Sequence, residues 1–337
     1  MTDMDLQNCK RLVLDFHTAL DTASSTDMVS TLERFVTPDY RFRGVHPFDE
    51  RTGAGDVAEV LWRPLHTSFA HLQRRPHLFF AGESAIDGGH WVCSAGNLMG
   101  LFDADWLGIP ATRRIAFLPY AEFNRVTGEG DDARVSETGL FVDIVAVMRQ
   151  AGAYPLPPQT GAAIINPGPR PQNGLLIDVQ GAEETAKTLA LVTRMMEELT
   201  GSDMDSSSDE LGGTWHDDML WWGPAGIGAT YTLERYREQH ADPFNRGLAD
   251  IVFNGHVARF AEGSFAGWFG WPNLSMRPSG GFMGLPSSNK RADMRVVDLY
   301  RRQGDKLAEN WVYIDLLHFL KQQGVDVLGR LAETGRA

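Results

Sequence analysis

Hydrophobic positions change period several times along this chain. From Leu6 to Phe35 they recur at helical spacing. Leu12, Phe16 and Leu20 share one face, and Met28, Leu32 and Phe35 resume it after the Ser24-Ser25-Thr26-Asp27 break. Tyr40–Gly44 alternates as a short strand, and His46-Pro47-Phe48 with Gly53-Ala54-Gly55 predicts a loop. Asp56 is placed to cap a helix carrying Val57, Val60, Leu61 and Leu65. Alternation then predicts strands over His77–Ala81, His90–Asn97, Arg114–Arg125 and Arg134–Val142, with a helix after Asp143. The second half runs through the same order. A helix is predicted over Glu183–Leu199, with Leu189, Val192, Met196 and Leu199 on one face, and an acidic loop over Ser202–Glu210. The tryptophan-rich stretch Thr214–Gly226 takes the slot of Pro38–Gly44, and Tyr231–Gln239 is the next helix. Strands follow at Asp250–Asn254, Val257–Phe260, Phe265–Phe269, Lys290–Arg301 and Ala308–Ile314. Helices first and a meander of strands after is an α+β pattern, with no βαβ unit and no glycine-rich phosphate loop.

The repetition extends to single residues. Glu137 precedes Asp143 by six positions, as Glu309 precedes Asp315. A glutamine follows each aspartate at seven (Gln150, Gln322) and a glycine at nine (Gly152, Gly324). Upstream, Gly108-Ile109-Pro110-Ala111-Thr112 matches Gly284-Leu285-Pro286-Ser287-Ser288, and Phe123-Asn124-Arg125 matches Leu299-Tyr300-Arg301. A period near half the chain is too long for a solenoid and predicts two copies of one small domain. The expected boundaries are a first module over 1–153, a Pro/Gly-rich linker over 154–181 that packs along the protein, and a second module over 182–337.

A length of 337 residues agrees with two domains. The net charge of −13, with only short Arg pairs as basic features, argues against nucleic acid as a partner. Two cysteines give neither a disulfide framework nor metal spacing. His216-Asp217-Asp218 is a loop cluster without ligand spacing, so no metal is expected, and no motif calls for a cofactor. No apolar run is long enough to span a bilayer. The N-terminal stretch lacks the apolar core of a signal peptide, which sets the cytoplasm as the expected location.

Several stretches carry a family resemblance: Trp222-Gly223-Pro224 with Gly226; Gly284-Leu285-Pro286-Ser287-Ser288 with Lys290; Gly304-Asp305-Lys306-Leu307-Ala308-Glu309-Asn310-Trp311 with Asp315; and Leu320, Gln322 and Gly324. In this order they resemble the SnoaL-like polyketide cyclases, within the wider group of cone-shaped α+β barrels that includes ketosteroid isomerase. The resemblance is strongest from Trp215 to Gly324 and weaker over Gly108–Gly152. It implies two curved antiparallel sheets, each wrapped around helices with an open apolar pocket. It also implies acid/base proton transfer next to a carbonyl, leading to aldol-type ring closure in a hydrophobic small molecule. By motif position the base is Asp315, with Asp143 as its counterpart. Members that pair through their sheets make an intrachain pseudo-dimer, or a homodimer, the expected assembly. Relatives of this fold also hydrolyse, hydroxylate or only bind, so fold does not fix chemistry.

The residues themselves allow more than one reading. An aspartate opening a helix is also a good N-cap. Glu309, Trp311, Tyr313 and Asp315 share one strand parity, so Trp311 and Tyr313 are candidates to wall a pocket for a flat ligand, and Asn310 falls on the opposite face. Phe141 holds the Tyr313 slot in the first module and Gly139 the Trp311 slot. Trp221, Trp222 and His216 are candidates for the pocket mouth. His240 and His66, each ending an aromatic-Arg-x-x-His run, are candidate donors to a developing enolate or helix C-terminal histidines facing the dipole. With Trp222-Gly223-Pro224 replaced by Arg43-Gly44-Val45, a single working site is expected in the second module.

Overall fold

The computed structural model describes residues 3–201 and 211–334; the expected acidic loop at 202–210 lies outside them. The chain forms two compact units. One comprises Met1–Tyr154, Pro167–Val179 and Asp326–Ala337, and the other Pro155–Asn166 and Gln180–Val325. Both are mixed α+β.

The first unit opens with a helix over Asp3–Thr22. Cys9, Val13, Phe16 and Leu20 recur along one stripe and are buried. Full burial of side chains of this size stabilises by about 1.5–3 kcal/mol each. Lys10 on the same helix is also buried, and its ammonium donates to the Asp178 carbonyl at 3.2 Å. The strands are β1 (Val36–Gly44), β2 (Asp49–Thr52), β3 (Phe69–Glu83), β4 (His90–Phe102), β5 (Ile115–Thr127) and β6 (Arg134–Val142). They form one sheet in the order β2-β1-β6-β5-β4-β3. Every neighbour pair is antiparallel except β1 with β6, which is parallel. That pairing joins the first long strand to the last and is invisible to local periodicity.

The second unit has strands β7 (Trp215–Trp222), β8 (Thr230–Tyr231), β9 (Leu248–Phe253), β10 (Ala258–Glu262), β11 (Phe265–Phe269), β12 (Leu274–Pro278), β13 (Ala292–Met294), β14 (Val296–Gln303) and β15 (Lys306–Ile314). Six of them form a sheet in the order β10-β11-β14-β15-β7-β8, again with one parallel pair, β7 with β15. The other three form a small sheet, β13-β12-β9.

Corresponding elements of the first halves begin 179 positions apart: the helices at Asp3 and Ala182, the strands at Val36 and Trp215, the helices at Ala54 and Leu233, and the strands at Phe69 and Leu248. Irregularities keep the same spacing. Each helix is interrupted by a π-turn, Ala58–Trp62 in one and Arg237–Ala241 in the other. Each following strand bulges just after a residue of positive φ, His71 at 55° and Asp250 at 52°. The spacing falls to 176 at the ends of β5 and β14 (Thr127 and Gln303), and to 172 from β6 and β15 onward (Arg134 and Lys306). The drop reflects the longer turn before β6.

One local expectation shifts. The helix assigned to Asp56 begins at Ala54, after Gly53 with φ 83°; in the second unit Thr232 takes that place, its hydroxyl accepting from the Arg235 N–H at 3.3 Å. Of the linker, Gln159 accepts from the Gly226 N–H and Ala162 bridges Ala229, while Leu175 bridges Phe79.

Candidate active site

In the second unit the residues of the long helix, the π-turn helix and the sheet leave a cavity of about 140 Å³. Met195, Met196 and Leu199 enter from the helix Ala182–Gly201. These last two were part of the predicted stripe, and they stay half-buried because they border this space. Trp221 enters from β7, and Asn310, Val312 and Ile314 from β15. Gly223 is required beside Trp221: a Cβ there would collide with the indole ring, and Gly44 stands in the same relation to Phe42.

Asp298 projects into the cavity from the middle of β14. Burial raises its carboxyl, hydrogen bonds from Asn310 and Tyr300 pull it partly back, and the outcome is a pKa of about 6. The Asn310 amide lies 3.4 Å from the carboxylate and also donates to the Leu299 carbonyl at 3.1 Å. Tyr300 sits against Trp215 and edge-on to Trp268, with ring centroids at 6.1 and 5.9 Å, so its hydroxyl is held in place. Burial and the neighbouring Asp298 push the Tyr300 phenol well up, and Tyr236 is raised in the same way, so both remain protonated. His240 stacks on Trp221 at 3.9 Å between centroids. Burial lowers its imidazole to about 3, and it is therefore neutral at pH 7. The π-turn places it: the extra residue in that turn rotates the following side chains, and such turns often accompany functional positions.

The same register position in the first unit has the opposite character. Glu122 stands 176 before Asp298, and Leu140 faces it on β6 as Val312 faces Asp298 on β15. His17 lies 2.7 Å from one Glu122 oxygen, Asn124 donates to that oxygen at 2.6 Å, and Arg74 binds the other at 2.9 Å. Burial alone would raise this carboxyl. His17 and Arg74 more than reverse it and hold it well below the usual carboxylate range. The Arg74 guanidinium also lies over the Tyr120 and Trp62 rings, at 5.0 and 5.8 Å.

Of the residues singled out from sequence, the structure brings His240 and Trp221 together at the cavity. Asp315 stands elsewhere. It caps the helix Leu316–Gln322 by accepting from the His318 N–H at 3.1 Å, and its other oxygen pairs with Arg295 at 3.1 Å. Asp143 caps its own helix in the same way, accepting from the Ala146 N–H at 2.9 Å. Trp311 and Tyr313 point to the face opposite the cavity. Trp311 is in register with Leu299 and Trp222, whereas Asn310 is in register with Tyr300 and Trp221. Trp222 and, on β6, Phe141 share that opposite face. The parity was assigned backwards because β15 is buried almost throughout on both faces, so hydrophobicity carries no directional signal. Glu309, on the same parity, is buried and paired with Arg301. His216 is engaged at the hairpin end, 2.9 Å from the Gln303 carbonyl. His66 is half-buried and edge-on to Trp62 at 6.4 Å, with its imidazole lowered by burial. Element spacing matches His240 to Leu61 and His66 to Asn245, so the shared aromatic-Arg-x-x-His run is a coincidence of sequence.

Asp298, Tyr300, Asn310 and Tyr236 were missed. The available signal was a lone carboxylate inside the apolar run Val296-Val297-Asp298-Leu299.

The fold and this hollow define a small α+β module with a carboxylate facing a cavity of mixed apolar and polar lining. Residues 273–323, which carry Asp298, Tyr300 and Asn310, match the model of the SnoaL-like polyketide cyclase family. No curated protein matches the sequence. Among solved structures, the chain is similar to an NTF2-like protein from Burkholderia xenovorans LB400, at 15% identity over 41% of this chain and 97% of that one, with a TM-score of 0.34. A protein from Jannaschia sp. CCS1 described as a SnoaL-like polyketide cyclase matches at 19% identity over 47% of this chain and 98% of its own, with a TM-score of 0.33. TsrD from Streptomyces laurentii matches at 20% identity over 40% and 96%, with a TM-score of 0.34. No described helix is long and apolar enough to cross a membrane.

Proposed function

We propose that the two units are copies of one module and that the second is a proton-transfer enzyme acting on a small hydrophobic carbonyl compound. Asp298 is its general base and acid. The observation that carries this reading is a half-buried carboxylate on the wall of a partly apolar cavity, its pKa raised to about 6, with Tyr236 and His240 on the same wall beside Arg237 and Asp242.

An aspartate in water is too weak a base to remove a proton next to a ketone, and burial narrows that gap. At pH 7 Asp298 is mostly ionised and takes the α-proton. The C–H electron pair moves into the carbon framework and the carbonyl oxygen gains charge. Tyr236 and neutral His240 line the same cavity and keep N–H and O–H donors available for that oxygen. The enolate then reclaims the proton from Asp298 at another carbon, which is isomerisation, or its carbon attacks a second carbonyl of the same molecule, which closes a ring and leaves an alkoxide that takes the proton back from Asp298. Tyr300 and Asn310 hold the carboxylate in place. Asp315 acts as a helix cap, outside the chemistry.

The test is exchange of the α-protons of 1-tetralone in D2O, followed by proton NMR. Asp298→Asn is expected to slow enzyme-dependent exchange by about 10²–10⁴-fold. Exchange at the wild-type rate in that variant sinks the reading. Binding of the ketone by the wild type without exchange leaves a binding protein of the same fold.

A further inference from the structure

The packed interior of the first unit acts as a mould for what is absent from the second. In the first unit Trp62 is buried at the end of the π-turn, and Tyr120 is buried on β5, two residues before Glu122. The two rings enclose the planar Arg74 guanidinium, which is bonded to Glu122. At the matching positions of the second unit stand Ala241, in the same place at the end of its π-turn, and Val296, two residues before Asp298. Both border the cavity. Arg74 is replaced by Phe253 after the same bulge, and His17 by Met196. The hollow is thus the space vacated by an indole and a phenol, with its polar occupant removed and its carboxylate kept.

We infer that the second-unit cavity is a site for one flat bicyclic aromatic ligand that turns a hydroxyl or enolisable carbon toward Asp298, and that Ala241 and Val296 set its size. Three observations converge on that class. The volume, about 140 Å³, is that of a cavity that accepts roughly one benzene ring, and its open mouth admits a second fused ring. Trp221, with His240 stacked on it, offers a flat wall. Asp298 is the hydrogen-bond acceptor at the back. The inference rests on reading this hollow as the working site, but not on the proton transfer itself.

The experiment is calorimetric titration of the full chain with phenol, 2-naphthol and 2-hydroxyanthracene. 2-Naphthol is expected to bind most tightly, with one site per chain. Ala241→Trp, which restores the first-unit residue, is expected to weaken 2-naphthol binding about a hundredfold or more. Val296→Tyr tests the same point should Ala241→Trp fail to fold, and thermal melting of each variant separates occlusion from unfolding. Tighter binding of the tricycle than of 2-naphthol overturns the inference. So does undiminished 2-naphthol binding in either folded variant. Asp298→Asn distinguishes this idea from the catalytic one: loss of exchange with binding retained supports both, and binding with no exchange in the wild type removes only the catalysis.

Discussion

Glu122 and Asp298 occupy matching positions in two sheets, yet one is a tightly paired ion and the other borders a cavity with its pKa raised to about 6. The backbone does not make the difference. Both carboxylates project from the strand paired with the last strand, and both face a long helix interrupted by nothing and a short helix interrupted by a π-turn. The difference lies in their partners. His17 and Arg74 saturate Glu122, whereas Met196 and Phe253 offer Asp298 nothing, leaving it Asn310 and Tyr300. A charge in low dielectric is stable only when paired, and an unpaired one takes up a proton more readily. Two side chains far apart in sequence therefore decide whether the carboxylate holds the fold together or stands ready for a ligand.

The largest expected effect comes from unpairing the first carboxylate. Arg74→Met takes one of its two ion-pair partners from the buried Glu122, leaving His17 and Asn124, and is expected to cost about 3–5 kcal/mol in urea unfolding. The matching Phe253→Met swaps one apolar side chain for another and is expected to cost under about 1.5 kcal/mol. Equal costs would break the comparison. Asp298→Asn is expected to act in the other direction, stabilising the protein by about 2 kcal/mol at pH 7 while abolishing exchange. The sign follows from the raised pKa. The folded state holds the Asp298 proton more tightly than the unfolded chain, so the group favours folding at low pH and loses that contribution as pH rises from about 4 through about 6. The melting-temperature gain of Asp298→Asn over wild type should therefore widen from pH 4 to pH 7 and then level off. Glu122→Gln should show the reverse trend, its cost being present at neutral pH and shrinking in strong acid. A smaller effect, about 1–3 kcal/mol, is expected for Gly223→Ala, because the new methyl displaces the Trp221 ring. Its mark is altered ligand binding, which Gly44→Ala should leave unchanged. The smallest effect on exchange belongs to Asp315→Asn: asparagine still caps the helix and the lost pairing with Arg295 lies outside the cavity, so exchange should proceed at the wild-type rate.

Element order and the twofold repetition were legible because both rest on local periodicity and fixed spacings. The Glu137–Asp143 and Glu309–Asp315 frames mark the last strand and its helix in each unit. The parallel pairing of β1 with β6 and of β7 with β15 was not legible, since no local pattern records which distant strand a segment joins. Of the site residues named from sequence, two border the cavity. Trp221 and His240 were found from aromatic and histidine positions, but β15 was turned inside out because Trp311 and Asn310 are both buried. Spacing also misled at His66. An aromatic-Arg-x-x-His pattern recurred, yet the π-turns match His240 to Leu61 and His66 to Asn245. Asp298 was passed over because a single acidic residue in a strand looks like a solvent-facing position until the cavity behind it is known.

The closed set of His17, Arg74 and Glu122 also works as a latch on the history of the chain. Replacing His17 or Arg74 takes a partner from a buried carboxylate, whereas the apolar residues that stand at those places around Asp298 carry no such penalty. The polar set of the first interior thus resists replacement one residue at a time, a restraint that does not extend to Ala241 and Val296.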